Sequence, residues 1–119
     1  MLDRAHRLTH PRDFARVTRR GRRKAGTFVV CHTAPGEKES RERGDLGRVG
    51  PSRFGFVASK AVGNAPTRNL VKRRLREIVR EVMNEQFGDV VVRVLPAAAG
   101  ADWNQLRTEV RALLGAREQ

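Results

Sequence analysis

Positive charge recurs at helical spacing in the middle of the chain, beside one asparagine. At about 100° per residue, these basic side chains fall on one face of a helix. Like charges four residues apart repel one another without an anion, whereas an ordinary solvated face mixes the two signs. A guanidinium fits phosphate oxygens, and an amide can donate and accept at a base edge or a sugar. The face therefore predicts a surface for a polyanion. Its members are Arg68, Asn69, Lys72, Arg73, Arg76 and Arg80.

The composition of the whole chain also favours a polyanionic partner. The 119 residues include 25 Lys and Arg against 13 Asp and Glu, a formal net charge of +12. Neutralising phosphates releases condensed counterions, which favours nucleic acid, with an anionic membrane as the rival. No stretch approaches the roughly 18 apolar residues of a membrane span, and the first residues hold no apolar signal segment. Because Cys31 is the one cysteine, we expect a reducing, cytoplasmic setting and no membrane partner.

Side chains that could carry out catalysis are scattered along the sequence. Metal-dependent nucleases need several carboxylates that converge on the ions, and no paired acidic motif occurs here. His6, His10 and His32 lack zinc-ligand spacing and have no cysteine partners. We therefore expect no catalytic residue and no metal site in the protein itself.

The elements that position these residues follow from periodicity and from turn signals. Strands are indicated by β-branched and aromatic runs, and helices by apolar stripes with Pro, Asp or Gly at their ends. One connection, residues 34–52, is electrically neutral and without period, so we predict a flexible loop. The predicted order is helix 10–20, strand 27–33, strand 53–59, helix 65–86, strand 89–95 and a last helix from Asp102 to Leu114.

This order predicts a single α+β domain, residues 1–119, with helices packed on a small mixed sheet in an α/β sandwich. The unit from residue 53 to residue 95 implies two parallel strands joined by a crossover helix. On that helix Glu77 and Glu81 are expected to pair with Arg73 and Arg74. The buried stripe of the crossover helix is predicted to be Val71, Leu75, Ile78 and Val82. That of the last helix is predicted to be Trp103, Leu106, Val110, Leu113 and Leu114.

The run from Phe54 to Glu77, FGFVASKAVGNAPTRNLVKRRLRE, resembles the protein subunit of bacterial ribonuclease P. The hallmark of that family is Arg-Asn followed by Lys-Arg-x-x-Arg, here from Arg68 to Arg76. Asp13-Phe14, Val17 and Gly21 match its first helix in order and spacing. The chain departs from the family at Leu70, where a basic residue is commoner. It departs also in having few aromatics, with Thr18 and Cys31 at positions where an aromatic is more usual.

The resemblance implies a cofactor for a catalytic RNA, which removes the 5′ leader of precursor tRNA with Mg²⁺ held by the RNA and the substrate. It also implies a fold like the second domain of ribosomal protein S5, with a left-handed strand–helix–strand crossover. The implied contacts with the RNA subunit are Arg68, Asn69, Lys72, Arg73 and Arg76, with Arg74 and Arg80 as neighbours. The implied lining of a leader cleft is Phe14, Val17, Phe28 and Lys60.

Two alternatives remain open at the level of sequence. A ribosomal or other structural RNA-binding protein of the same fold would show the same basic helix without processing activity. A DNA-binding module would need a helix-turn-helix or a paired recognition surface, whereas this helix is predicted to be a crossover between strands.

Overall fold

The computed structural model describes residues 6–34, 52–83, 85 and 87–115. The predicted loop 34–52 lies outside this part of the chain, apart from its two end residues. Within it, the predicted α+β class is confirmed, and no helix is long and apolar enough to cross a membrane. The elements are α1 (Pro11–Arg20), β1 (Arg22–Ala25), β2 (Val29–Ala34), β3 (Arg53–Ala58), α2 (Ala65–Arg80), β4 (Asp89–Val94) and α3 (Trp103–Leu114), with short 3₁₀ turns at Lys60–Val62 and Pro96–Gly100.

The four strands form one mixed sheet in the order β1-β2-β4-β3. β2 runs antiparallel to both β1 and β4, whereas β3 and β4 are parallel, so α2 is the predicted crossover helix. β1 is an addition to the predicted order. Its sequence, Arg-Arg-Lys-Ala, is exposed at every position, because it is an edge strand with no buried face. It therefore carries no apolar alternation from which a strand could be predicted.

The two faces of the sheet are covered unequally, as β4 shows. Val90, Val92 and Val94 point into the larger core, under α2 and α3, while Val91 points into a smaller cluster under α1. The sequence of a strand with both faces covered is a nearly continuous apolar run, and β4 has such a sequence. Cys31 of β2 belongs to the larger core, where burial, and secondarily Glu109, raise the pKa of its thiol to about 12.

Helix α2 has a capped N-terminus and ends earlier than predicted. Asn64 caps it, since its side-chain oxygen accepts from the Thr67 N–H at 3.0 Å, and Gly63 before it has a φ of 151°. The predicted end at residue 86 is wrong. After Arg80 the N–H groups of Glu81 and Val82 bond to carbonyls three residues back, so the chain tightens out of the α-helix.

A serine at the start of β3 explains this early end. The Ser52 hydroxyl donates to the Glu85 carbonyl and accepts from the Phe87 N–H at 2.8 Å. These bonds hold Glu85 and Phe87 beside Ser52, next to the start of β3. If α2 continued without a break, it would carry these two residues away from Ser52 and the bonds could not form. Val82 nevertheless stays in the core, as its apolar spacing predicts.

Helix α3 confirms its predicted ends. Asp102 and Gln105 form a capping box, and Gly115 closes the helix with a φ of 69°. Leu106, Val110 and Leu114 are buried as predicted, but the prediction that Trp103 is buried is wrong, since this residue at the first helical position is 38% exposed. The reason is geometric, because Trp103 stands in the first turn, beyond the stretch of α3 that packs on the sheet.

Helix α3 also holds the turn between β1 and β2. The Glu109 carboxylate accepts from the N–H groups of Thr27, Phe28 and Val29 at 2.7, 2.7 and 2.9 Å. Those three amides precede or begin β2, where the chain turns and a strand partner cannot take all of them. One side chain thus fixes the position of the first hairpin against the last helix.

We expect Glu109→Gln to lower the free energy of unfolding by about 1–3 kcal/mol, because a neutral amide presents one acceptor oxygen to three donors. Urea unfolding followed by circular dichroism measures this change. Thr108→Ala, at an exposed neighbouring position of α3, is the matched control and should change stability little. Equal stability of the two variants would contradict a structural role for the carboxylate.

Candidate nucleic-acid interface

The basic residues of α2 lie outside the apolar stripe that packs on the sheet, some of them exposed and some half-buried. Val71, Leu75, Ile78 and Val79 are at most 1% exposed and pack into the larger core. The structure therefore brings most of the predicted cationic residues together on one surface, which we call the α2 stripe. Its members are Arg68, Asn69, Lys72, Arg73, Arg76 and Arg80, of which Asn69, Arg73 and Arg80 are the most exposed. Arg74 lies on the other flank of α2, where it donates to the Ala101 carbonyl at 3.3 Å.

The acidic residues of α2 do not neutralise the centre of this stripe. Glu81 pairs with Arg107 at 2.7 Å and with Arg111 at 3.6 Å, both on α3. Its predicted pairing with Arg73 or Arg74 is therefore wrong, because α3 lies beside α2 and its guanidinium groups reach the carboxylate. Glu77 lies 3.6 Å from Arg80.

The central cations of the stripe are accordingly available to a partner. Among the described residues, no carboxylate lies within ion-pair distance of Arg68, Lys72 or Arg73. The Nε atom of Arg68 is buried and has no hydrogen-bond partner in this part of the chain. Repeated like charges of this kind are repulsive in the free protein, and an anion between them relieves the repulsion.

A recess at the outer edge of β3 connects the α2 stripe to the other face of the sheet. The guanidinium carbon of Arg76 lies 5.9 Å from the centroid of the Phe56 ring, within cation–π range. The recess has a volume of about 210 Å³. It is lined by Arg7, Leu8, Thr9, Phe14, Phe54, Gly55, Phe56 and Arg76.

Helix α1 covers only one end of its face of the sheet and leaves a cleft beside it. Phe14 packs directly on Gly55 of β3, where a Cβ would strike the ring. Farther along the same face Val57 is 40% exposed and Arg93, opposite it on β4, is also exposed. A single-stranded chain could lie in this cleft, with apolar and cationic side chains on its floor.

The structure separates the four residues assigned to a leader cleft. Phe14 is partly exposed at the cleft, and Lys60 is exposed just beyond the end of β3. Val17 is fully buried between α1 and the sheet, so a strand in the cleft would not reach it. Phe28 lies on the opposite side, where it packs against the larger core and lines a groove along α3.

His32 is a buried residue on the cleft face of the sheet that sequence reasoning missed. It pairs across the sheet with Arg23 on one side and Val91 on the other, and so shares their face. It is 5% exposed, and neither ring nitrogen has a hydrogen-bond partner among the described residues. Burial, then the charges of Arg93 and Arg23, lower its pKa below 6.5. Strand alternation was the available signal, because Cys31 faces the core and its neighbour must face the cleft.

A family model identifies the chain. The model described as Ribonuclease P matches residues 2–117. The chain belongs to the ribonuclease P protein family.

Curated relatives of the ribonuclease P family match over almost the whole chain. The ribonuclease P protein component of Streptomyces griseus is 43% identical over 96% of this chain and 93% of its own length. That of Corynebacterium diphtheriae is 42% identical over 96% of this chain and 94% of its own.

Solved structures of ribonuclease P proteins share the fold. The protein from Staphylococcus aureus superposes with a TM-score of 0.77 at 26% identity, covering 94% of each chain. The protein from Thermotoga maritima, at 24% identity, has a TM-score of 0.75 over 96% of this chain and 99% of its own, a likeness of fold.

We expect Arg73→Ala to weaken binding to structured RNA and to reduce the slope of log K against log salt by about 1, because one phosphate contact is lost. Titrations at several salt concentrations measure both quantities. Asn69→Ala is the uncharged control, which should reduce affinity without changing the slope. Leu75→Ala, on the buried side, should cost about 2–5 kcal/mol of stability and leave the slope unchanged. Unaltered affinity in both polar variants would show that the stripe is only a solvated face.

We expect His32 to make the protein less stable in mild acid. Its folded-state pKa lies below the ordinary value of 6.5, so the unfolded chain binds the proton first as the pH falls. This contribution to stability is fully present above 6.5 and is lost as the pH falls towards the folded-state pKa. The free energy of unfolding should therefore fall less steeply in His32→Phe than in the unmodified protein between about pH 7.5 and about pH 5.5. Parallel curves for the two proteins would exclude His32 as the source.

Proposed function

We propose that this chain is the protein subunit of a ribonuclease P holoenzyme, in which an RNA subunit cleaves the 5′ leader from precursor tRNA. The observation that carries the proposal is the α2 stripe, whose central cations Arg68, Lys72 and Arg73 have no carboxylate partner among the described residues. It stands on the fold of a family whose members are named as ribonuclease P protein components. Membership supports participation in the holoenzyme, and the stripe supplies the phosphate contacts that holding a large RNA requires.

The division of labour in this proposal assigns the chemistry to the RNA. Where two carboxylates of the described residues do come together, Asp13 and Asp89, they are bound by Arg16 and Arg53. Carboxylates engaged in this way stabilise the fold and are not free to activate water. The Mg²⁺ ions of the reaction are proposed to be held by the RNA subunit and the substrate. No three His, Cys, Asp or Glu side chains of the described residues gather into a metal site.

The substrate contact is proposed to be the cleft between α1 and the open end of the sheet. A leader strand there would meet Phe14, Val57 and Arg93, which offer a ring face, an aliphatic surface and a positive charge. Stacking and charge of this kind bind single strands with little regard to sequence.

The experiment combines the protein with the ribonuclease P RNA of its own genome and labelled precursor tRNA. We expect leader removal at a Mg²⁺ concentration too low for the RNA alone, and none with protein free of RNA. A variant with Lys72 and Arg73 changed to Ala should lose the stimulation while its stability holds or rises, since repulsion along the stripe is relieved.

Two results would overturn the proposal. Cleavage by protein free of RNA would place the active site in this chain. Tight binding to other structured RNA without any stimulation of cleavage would favour a structural RNA-binding protein.

A further inference from the structure

A second group of cations lies at the opposite edge of the sheet from β3. It occupies the end of α1 and strand β1, and every member is exposed. Among the described residues none of them has a carboxylate within ion-pair distance. We call this group the β1-edge cluster. Its members are Arg19, Arg20, Arg22, Arg23 and Lys24.

The β1-edge cluster is separate from the α2 stripe. The strand order β1-β2-β4-β3 places β1 three strand spacings from β3, a distance of about 14 Å. Helix α2 begins after β3 and packs over the larger core, while β1 lies beyond β2 on the far side. The charge at β1 therefore lies on a different part of the surface from the α2 stripe.

The path of α1 connects the cleft to this edge. Near its start, Phe14 lies on Gly55 of β3, and just past its end Gly21 abuts the carbonyl of Thr33 in β2. Helix α1 thus crosses the sheet from β3 towards β1. The cleft beside it runs the same way, so one end opens near β3 and the other opens at β1. In the register of the sheet, the cleft floor of Val57 and Arg93 continues to Ala25 of β1, and Arg23 lies on the same face two residues from that opening.

We infer that the β1-edge cluster is a second phosphate-binding surface, which holds single-stranded RNA where it leaves the cleft. The inference rests on the proposed function, because the strand in the cleft is the leader of precursor tRNA. In the proposed function the RNA subunit binds along α2, so we place the end of the cleft nearer α2 towards the cleavage site. The β1 edge therefore receives the distal part of the leader, which is the end farther from the tRNA.

The cluster also has purely structural uses, and they make a different prediction. Charged side chains keep the open edge of a sheet from pairing with another chain, and basic residues in the last turn of a helix stabilise its dipole. Edge protection needs charge of either sign, whereas phosphate binding needs positive charge. Replacement by glutamate thus separates the two roles.

The experiment measures the affinity of the reconstituted holoenzyme for precursor tRNA with a short leader, confined to the cleft, and with a long leader that reaches β1. Two double variants are compared: Arg22→Gln with Lys24→Gln, and Arg22→Glu with Lys24→Glu. Both positions pair with Thr33 and Cys31, on the face of the sheet opposite the cleft. The short leader is therefore the matched control for any general effect of lowered net charge.

For the long leader we expect the glutamine variant to lose two phosphate contacts and about 1.4 of the salt slope. When salt rises from about 50 to about 200 mM, the fold-loss of affinity should therefore be about seven times smaller for this variant than for the unmodified protein. The glutamate variant should bind the long leader more weakly still, and both variants should bind the short leader normally.

Equal losses on both leaders, or no loss on the long one, would overturn the inference. So would a glutamate variant that binds the long leader as well as the glutamine variant does, because charge of either sign would then suffice. If the unmodified protein fails to strengthen the binding of either precursor, the proposed function itself is wrong, and the two failures are thereby distinguished.

Discussion

The open cleft depends on one buried carboxylate. Asp89 at the start of β4 has a side chain only 1% exposed and accepts from Arg53 at 2.9 and 2.7 Å, and also from Arg16 of α1. The ion cluster holds α1 at the end of the sheet where β3 and β4 begin, since Arg16 can reach Asp89 only from there. A charge buried in this way is costly without its partners, so α1 has little freedom to slide along the sheet. The remainder of that face is consequently open to a ligand.

The opposite face of the sheet is shaped by the packing of the crossover helix α2. A crossover helix between parallel strands must bury a continuous apolar stripe, and α2 does so with Val71, Leu75 and Ile78. The same constraint fixes which residues point outwards, and here those are basic. Glu81, which could balance part of this charge, pairs with Arg107 of α3 instead. Packing on α3 and exposure of unbalanced charge are therefore two results of one helix orientation.

Much of this architecture could be predicted from the sequence, and the failures have physical causes. Both ends of α3 and most of the buried stripes of α2 and α3 could be predicted, because Asp102, Gly115 and the apolar residues each have one usual local role. Strand β1 was not readable, since an exposed edge strand needs no apolar pattern, and the end of α2 depends on Ser52, which is distant in sequence. The α2 stripe was predicted as a surface. The cleft was predicted only in part, because Val17 and Phe28 look alike in sequence but lie in the core and on the other side of the sheet.

The buried thiol of Cys31 has a practical consequence. With a pKa of about 12 and 1% exposure, it is protonated and shielded at neutral pH. Because the thiolate is the reactive species, alkylating reagents will not react with Cys31 while the core is closed. The native chain thus behaves as though it had no cysteine. A new cysteine at the surface could carry a fluorophore or cross-linker without removal of the natural one, and slow labelling of Cys31 itself would report how often the core opens.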